Sequence, residues 1–209
     1  MKTVDKLSRP YRLIFAYGLY MNVNQLKLCC PNAEFIDVGY VENCSLDFYG
    51  RTATWDSGRE TFIHTPGTEM WGVVYKLNFS EAYRLDTWVD VRMDGAGAYF
   101  HYPMDVVGVT GKSYYALLYK KNILGDKRMV STEYLNKIRE GASQFGIPQE
   151  YIQRLNNISN KKASYAVPRR GKFDRSLLFD LDEGCGECGD LRASHGGPGF
   201  TPELQKNKG

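Results

Sequence analysis

A chain of 209 residues is long enough for one domain of about 150 residues with a full core, plus an appendage. With a formal net charge of +3 and 24% charged residues, no polyelectrolyte partner is demanded and no specific nucleic acid is expected. No apolar run approaches the roughly 20 residues that span a bilayer, and residues 1–10 have no apolar signal core. A soluble, cytoplasmic protein without a membrane partner is therefore expected.

Cysteine usage fits that placement. Five is an odd number, and Cys29 and Cys30 are adjacent, unlike an extracellular disulfide framework. Cys185 and Cys188 have two-residue ligand spacing in a glycine-rich segment, but His195 is the only nearby addition. A closed zinc site takes about four ligands, so reduced surface thiols are expected there, with no metal and no cofactor.

In chain order, 13–16 reads as a short buried strand broken by Tyr17-Gly18. A helically spaced segment follows over 22–30. A strand that ends in a glycine turn before a helix exposes backbone N–H groups suited to a carboxylate or phosphate. Strand-like runs follow at 33–41, 44–49 and 61–63, with turns at 56–58 and 65–68. The clearest buried strand covers 69–77. Ser80 is the expected N-cap of a helix carrying Tyr83, Leu85 and Trp88. Two further strands are expected over 99–109 and 112–119, joined by Thr110-Gly111.

The period then lengthens. Residues 131–145 form an amphipathic helix with Ser131 as cap and Tyr134, Leu135, Ile138 and Ala142 as its apolar stripe. Gly146-Ile147-Pro148 ends it, and 149–158 forms a second helix with Tyr151, Ile152, Leu155 and Ile158 inward. Beyond Ser159 the pattern fades and the segment is basic and glycine-rich, apart from Leu177-Leu178-Phe179. A domain over 1–158 and an extended or partly disordered extension over 159–209 are expected. The elements imply an α+β domain built on a mostly closed β-structure.

These residues carry a resemblance. Phe15-Ala16-Tyr17-Gly18 resembles the FAYGSN opening of the gamma-glutamylcyclotransferase-like superfamily. Residues 69–75, Glu-Met-Trp-Gly-Val-Val-Tyr, resemble its VWGVVY strand, and Leu85-Asp86 its following LD. Trp55 and the strand after it are similar to the family's tryptophan, double-glycine and ATI segment. Gly141-Ala142, Gly146-Ile147-Pro148 and Glu150-Tyr151 are similar to its GA…GLP.EY helix pair. The resemblance runs from residue 13 to about 158 in matching order.

It implies a barrel-like closed sheet flanked by helices, with a pocket beside Tyr17-Gly18. Family enzymes hold the substrate's glutamyl end on backbone groups of that loop. A glutamate in an LDxxEG segment serves as base, so that the α-amine attacks the γ-carbonyl and releases 5-oxoproline and a free amine. A carboxylate within hydrogen-bond reach can relay the amine proton to the leaving group, and loop N–H groups can steady the oxyanion.

The sequence departs from the pattern at the chemistry. Leu19 and Tyr20 replace the loop's serine and asparagine, Val89 falls on the catalytic glutamate, and ATI reads Glu60-Thr61-Phe62 or Thr61-Phe62-Ile63, depending on the gap. Asp90 and Asp94 are the candidate displaced bases. Tyr17, Gly18, Leu19, Tyr20, Arg59 and Tyr99 are the candidate substrate contacts, with Arg59 and Glu60 either a surface ion pair or a rebuilt lining in which Arg59 holds an anion. Three functions stay open: a cyclotransferase acting on a γ-glutamyl amine or dipeptide, an inactive protein that uses the same pocket to sequester an anionic metabolite or nucleotide-like signal, and an interaction module built on the basic, glycine-rich tail. A homo-oligomer also stays open.

Overall fold

The computed structural model describes residues 11–169. Five strands form a closed barrel in the order β1-β3-β2-β4-β5. They are β1 (Tyr11–Ala16), β2 (Glu34–Thr52), β3 (Ser57–Asn78), β4 (Tyr99–Gly108) and β5 (Ser113–Lys121). Neighbours pair antiparallel except where β1 closes the barrel against β5, with Ile14 opposite Leu117. A closed barrel leaves no open sheet edge. The α+β class and the closed sheet expected from the sequence are both present.

The pieces expected over 33–41 and 44–49 are one long strand, as are 61–63 and 69–77. β2 and β3 form a continuous bent hairpin with register shifts at Phe35/Asp37, Glu42/Cys44 and Tyr49/Thr52. The first and last shifts each insert one residue in β2, and at Glu42/Cys44 residues 65–68 of β3 stand opposite Asn43 alone; each re-aims the chain without ending the ladder, so turn-like residues here mark bends. The barrel interior holds Phe15, Tyr17, Val41, Phe62, Met70, Val74, Val106 and Leu118. The opposite sheet face packs Ile14, Val73, Tyr75 and Leu77 against helical residues such as Leu26, Leu85, Leu135, Ile138 and Leu155. Period-2 alternation along each strand divides the two cores.

The helices are α1 (Val23–Leu26), α2 (Phe79–Trp88), α3 (Thr132–Gln144) and α4 (Gln149–Asn156), and a 3₁₀ turn (Leu19–Met21) precedes α1. The N-cap of α2 is Asn78, whose side chain accepts from the Glu81 N–H; Ser80 lies inside the helix. Asn wins because the extended end of β3 places it where a cap residue must sit, with β-region dihedrals. Ser131 caps α3 as expected, accepting from the Tyr134 N–H. Two-residue strands β6 (Val130–Ser131) and β7 (Asn160–Lys161) pair in parallel. Past β7, Asp56 accepts hydrogen bonds from the Ser164 N–H (2.9 Å) and Oγ (2.6 Å), and the Arg169 N–H donates to Thr54. The chain over 160–169 is thus fastened along the turn that carries Trp55. Leu177, Cys185, Cys188 and His195 lie outside the described residues. Among the described residues no helix is long and apolar enough to cross a membrane.

The 3₁₀ turn is held against α3 by Asn22, which is buried. Its Oδ1 accepts from the Asn24 and Gln25 N–H groups, and its Nδ2 donates to the Lys137 carbonyl and Glu140. Gly141 on α3 permits that approach: a Cβ there would lie 2.4 Å from the Asn22 nitrogen, which is backbone and cannot swing away. Gly141→Ala is expected to destabilise the fold by about 1–3 kcal/mol, the cost of overpacking a dense contact. Urea denaturation of the two proteins measures it, and an unchanged midpoint would contradict this account of the packing.

Candidate active site

At the mouth of the barrel, β1 ends and the chain turns at Tyr17-Gly18 into the 3₁₀ segment. Across from it lies Glu60 of β3, opposite Phe48 in the β2–β3 ladder and on the same strand face as Phe62. Its carboxylate rests on the bare Cα of Gly18: a Cβ there would fall 2.0 Å from Glu60 Oε2. Leu19 N–H donates to that oxygen at 2.7 Å, and Tyr134 of α3 supplies a hydroxyl hydrogen bond to the same carboxylate. Glu60 as a residue keeps part of its surface open, so a ligand can reach it although the carboxylate itself is closely packed. Burial pushes its pKa from 4.5 up to about 7, against the opposing pull of the Leu19 N–H and Tyr134. A carboxyl group in that range can take or give a proton near neutrality.

Tyrosines surround the group. Tyr99 donates to the Glu60 carbonyl at 2.7 Å, fixing the strand at this point. Tyr17 donates to the Tyr119 carbonyl; burial, and after it the charge of Glu60, holds its phenol well above the ordinary value. Tyr151 of α4 is buried, and burial raises its pKa too, with Glu60 adding to the rise. Its hydroxyl has no hydrogen-bond partner. An unpaired buried hydroxyl costs about 1–3 kcal/mol.

Tyr17, Gly18, Leu19 and Tyr99 therefore gather around Glu60, and Tyr20 packs against the same hydrophobic cluster as Leu19. Arg59 points to the opposite face of β3, where its Nε donates to the Arg51 carbonyl at 3.1 Å. Asp90 stands just past the end of α2 with φ of +61°, a left-handed position that stops the helix. Both of its carboxylate oxygens are engaged, Oδ1 by Arg92 Nε (2.8 Å) and Oδ2 by the Ala98 N–H (3.0 Å). Asp94 is exposed and accepts from the Ala96 N–H within its own turn. Val89, on the position of the family glutamate, packs into the cluster that contains Leu19, Tyr134 and Tyr151.

Asp86, the aspartate of the LD pair, ties elements together. Arg12 donates to Oδ2, and Tyr119 donates to Oδ1 at 2.7 Å, with His101 Nε2 also 2.7 Å from Oδ1. Burial works to raise its pKa, but hydrogen bonds from His101, Tyr119 and Arg12 outweigh it and hold the carboxyl below its ordinary value. An ionised carboxylate thereby locks α2 to β1, β4 and β5.

Among the described residues, no group of three or more His, Cys, Asp or Glu side chains could hold a metal ion. Glu60, which the sequence leaves as either half of a surface ion pair or part of a rebuilt lining, is not named there as an acid–base group. The available signal was a lone carboxylate two positions before Phe62, in a strand whose same-face neighbours are apolar.

Comparison with known proteins matches this chain to a family. The AIG2-like family model matches residues 69–155. The chain is 33% identical over 152 residues to the gamma-glutamylcyclotransferase of Bos taurus, an alignment covering 70% of this chain and 78% of that protein. The gamma-glutamylcyclotransferase of Homo sapiens is likewise 33% identical, over 150 residues, with the same coverage of both chains. A solved gamma-glutamyl cyclotransferase structure superposes with a TM-score of 0.70 at 29% identity, covering 76% of this chain and 94% of the other. With its closed five-stranded barrel and its Tyr17-Gly18 loop, the chain belongs to the gamma-glutamylcyclotransferase-like superfamily.

Proposed function

We propose that the protein is a cyclotransferase for γ-glutamyl amines or γ-glutamyl dipeptides, with Glu60 as its acid–base group. The observation that carries this reading is a carboxyl group with a pKa near 7, hydrogen-bonded to the loop amide of Leu19. In the reaction, the substrate's α-amine attacks the γ-carbonyl carbon. Glu60 takes a proton from the attacking nitrogen and delivers it to the departing amine as the old amide bond breaks. The products are 5-oxoproline and a free amine, with no net proton change at the enzyme. A near-neutral pKa suits both halves of this relay, because the group is a competent base before attack and a competent acid after it. The Leu19 N–H is committed to the Glu60 carboxylate and holds the relay group at the loop.

The relay passes from the aspartates to Glu60 in this reading. Asp90 stops α2 with both oxygens occupied, and Asp94 closes an exposed turn. Val89 supports a second reading, in which the pocket binds a small metabolite without turning it over. A negative charge at the loop amide weighs against a purely anionic ligand and favours one that also carries an ammonium group, as a γ-glutamyl compound does.

Mass spectrometry of γ-glutamyl dipeptides and amines incubated with the purified protein tests the reaction. Production of 5-oxoproline is expected. Glu60→Gln should lower kcat about 10²–10⁴-fold, the usual worth of a positioned acid–base group, while Asp94→Asn stays near the unmodified rate. Loss of turnover in Asp94→Asn with Glu60→Gln still active would return the role to the aspartate. Recovery of an intact bound compound, with no 5-oxoproline, would favour the binding reading.

The pH dependence supplies two further checks. The free enzyme's kcat/KM should rise with pH through an apparent pKa near 7 as Glu60 becomes a base, a limb absent from Glu60→Gln. Stability should move the other way. The folded pKa is raised, so the penalty is absent below about pH 4.5 and stability is lost as pH climbs through about 7. At one pKa unit per 1.36 kcal/mol the loss is on the order of 3 kcal/mol. Urea denaturation at pH 5 and pH 8 should show that loss in the unmodified protein relative to Glu60→Gln; equal pH dependence would mean that Glu60 titrates normally.

A further inference from the structure

Among the described residues, the Tyr151 hydroxyl is the buried side-chain polar atom left without a hydrogen-bond partner. It stands out against its neighbours. Tyr17 donates to Tyr119, Tyr75 to Met21, Tyr99 to Glu60 and Tyr119 to Asp86, and Tyr134 bonds the Glu60 carboxylate. Each of those phenols is spent on the fold. Tyr151 is 4% exposed, in the cluster with Leu19, Tyr134 and Trp55, and the Arg154 guanidinium covers its ring at 5.0 Å from the centroid. Packing therefore holds the ring in place without satisfying its hydroxyl. Native proteins pair nearly all such atoms, so an exception at a candidate site asks for a partner that arrives from outside.

The chemistry of that partner follows from the surroundings. Burial raises the phenol's pKa, Arg154 pulls the other way and Glu60 adds a smaller rise, so the hydroxyl stays protonated and acts as a donor. We propose that Tyr151 is a catalytic residue whose hydroxyl donates a hydrogen bond to the γ-acyl oxygen of the bound substrate. The inference rests on the cyclotransferase reading of the same pocket. As the amine adds to the acyl carbon, that oxygen gains negative charge, and a fixed donor with no bond to give up stabilises it without reorganisation. The hydroxyl left unpaired in the free protein is then a site feature held at the expense of stability.

Tyr151→Phe removes one oxygen atom and keeps the ring, so a dedicated substrate donor and a structural hydroxyl give opposite signatures. Steady-state turnover of a γ-glutamyl dipeptide should show kcat lowered about 10–100-fold with KM little changed, while Tm is equal to or above that of the unmodified protein. Unchanged kcat overturns the proposal, as does an effect confined to KM, which would place the hydroxyl on a part of the substrate where no charge develops. A lower Tm together with lower kcat also overturns it, because the hydroxyl would then be supporting the fold. Absence of 5-oxoproline from the unmodified protein would instead reject the underlying cyclotransferase reading, and Tyr151 would lose its role with it.

Discussion

The hydrogen bond from the Leu19 amide to the Glu60 carboxylate, made across the bare Cα of Gly18, is the contact that the rest of the site depends on. It joins the end of β1 to β3 at the mouth of the barrel, and a side chain at position 18 would push the carboxylate out of this place. Tyr134 approaches the same oxygens from α3, and Tyr99 fixes the strand through the Glu60 carbonyl. Burial makes this carboxylate costly to ionise, the Leu19 and Tyr134 hydrogen bonds offset only part of that cost, and the pKa is left in the working range of an acid–base group.

The fold supplies the rigidity that such a contact needs. The barrel closes through the β1–β5 pairing, and the Asp86 carboxylate binds Arg12, His101 and Tyr119, so α2 is anchored to three strands at once. On the other side, Asn22 and Gly141 clamp the 3₁₀ segment to α3. Leu19 is positioned from both directions, and its N–H has little freedom to point elsewhere. This division of labour gives the LD aspartate and the GA glycine structural roles that do not depend on the residue at position 89.

That change reads as a move and not only as a loss. Val89 is apolar and packs on the hydrophobic cluster that contains Leu19, while in the proposed reading a carboxylate reaches Leu19 from β3. Any element that passes a site can contribute a side chain to it. Sites are grafted onto folds in this sense, and a motif compared position by position sees the departure at 89 without the arrival at 60.

The sequence by itself determined the fold class, the helix pair over 131–158 and the loop at Tyr17-Gly18. Those features are local: hydrophobic period, a serine cap and short glycine-bearing motifs, each decided by near neighbours in the chain. It blurred β2 and β3 into fragments, because bulges and bends resemble turns in composition while the ladder that spans them is a pairing between distant residues. Asp90 looked like a displaced base by spacing, yet its left-handed backbone and its two hydrogen bonds make it the stop of α2. Glu60, beside Arg59, read as either a surface ion pair or a rebuilt pocket lining. Only the tertiary structure set those two side chains on opposite faces and brought the carboxylate to Leu19, because that contact joins residues 41 positions apart through the closure of a barrel.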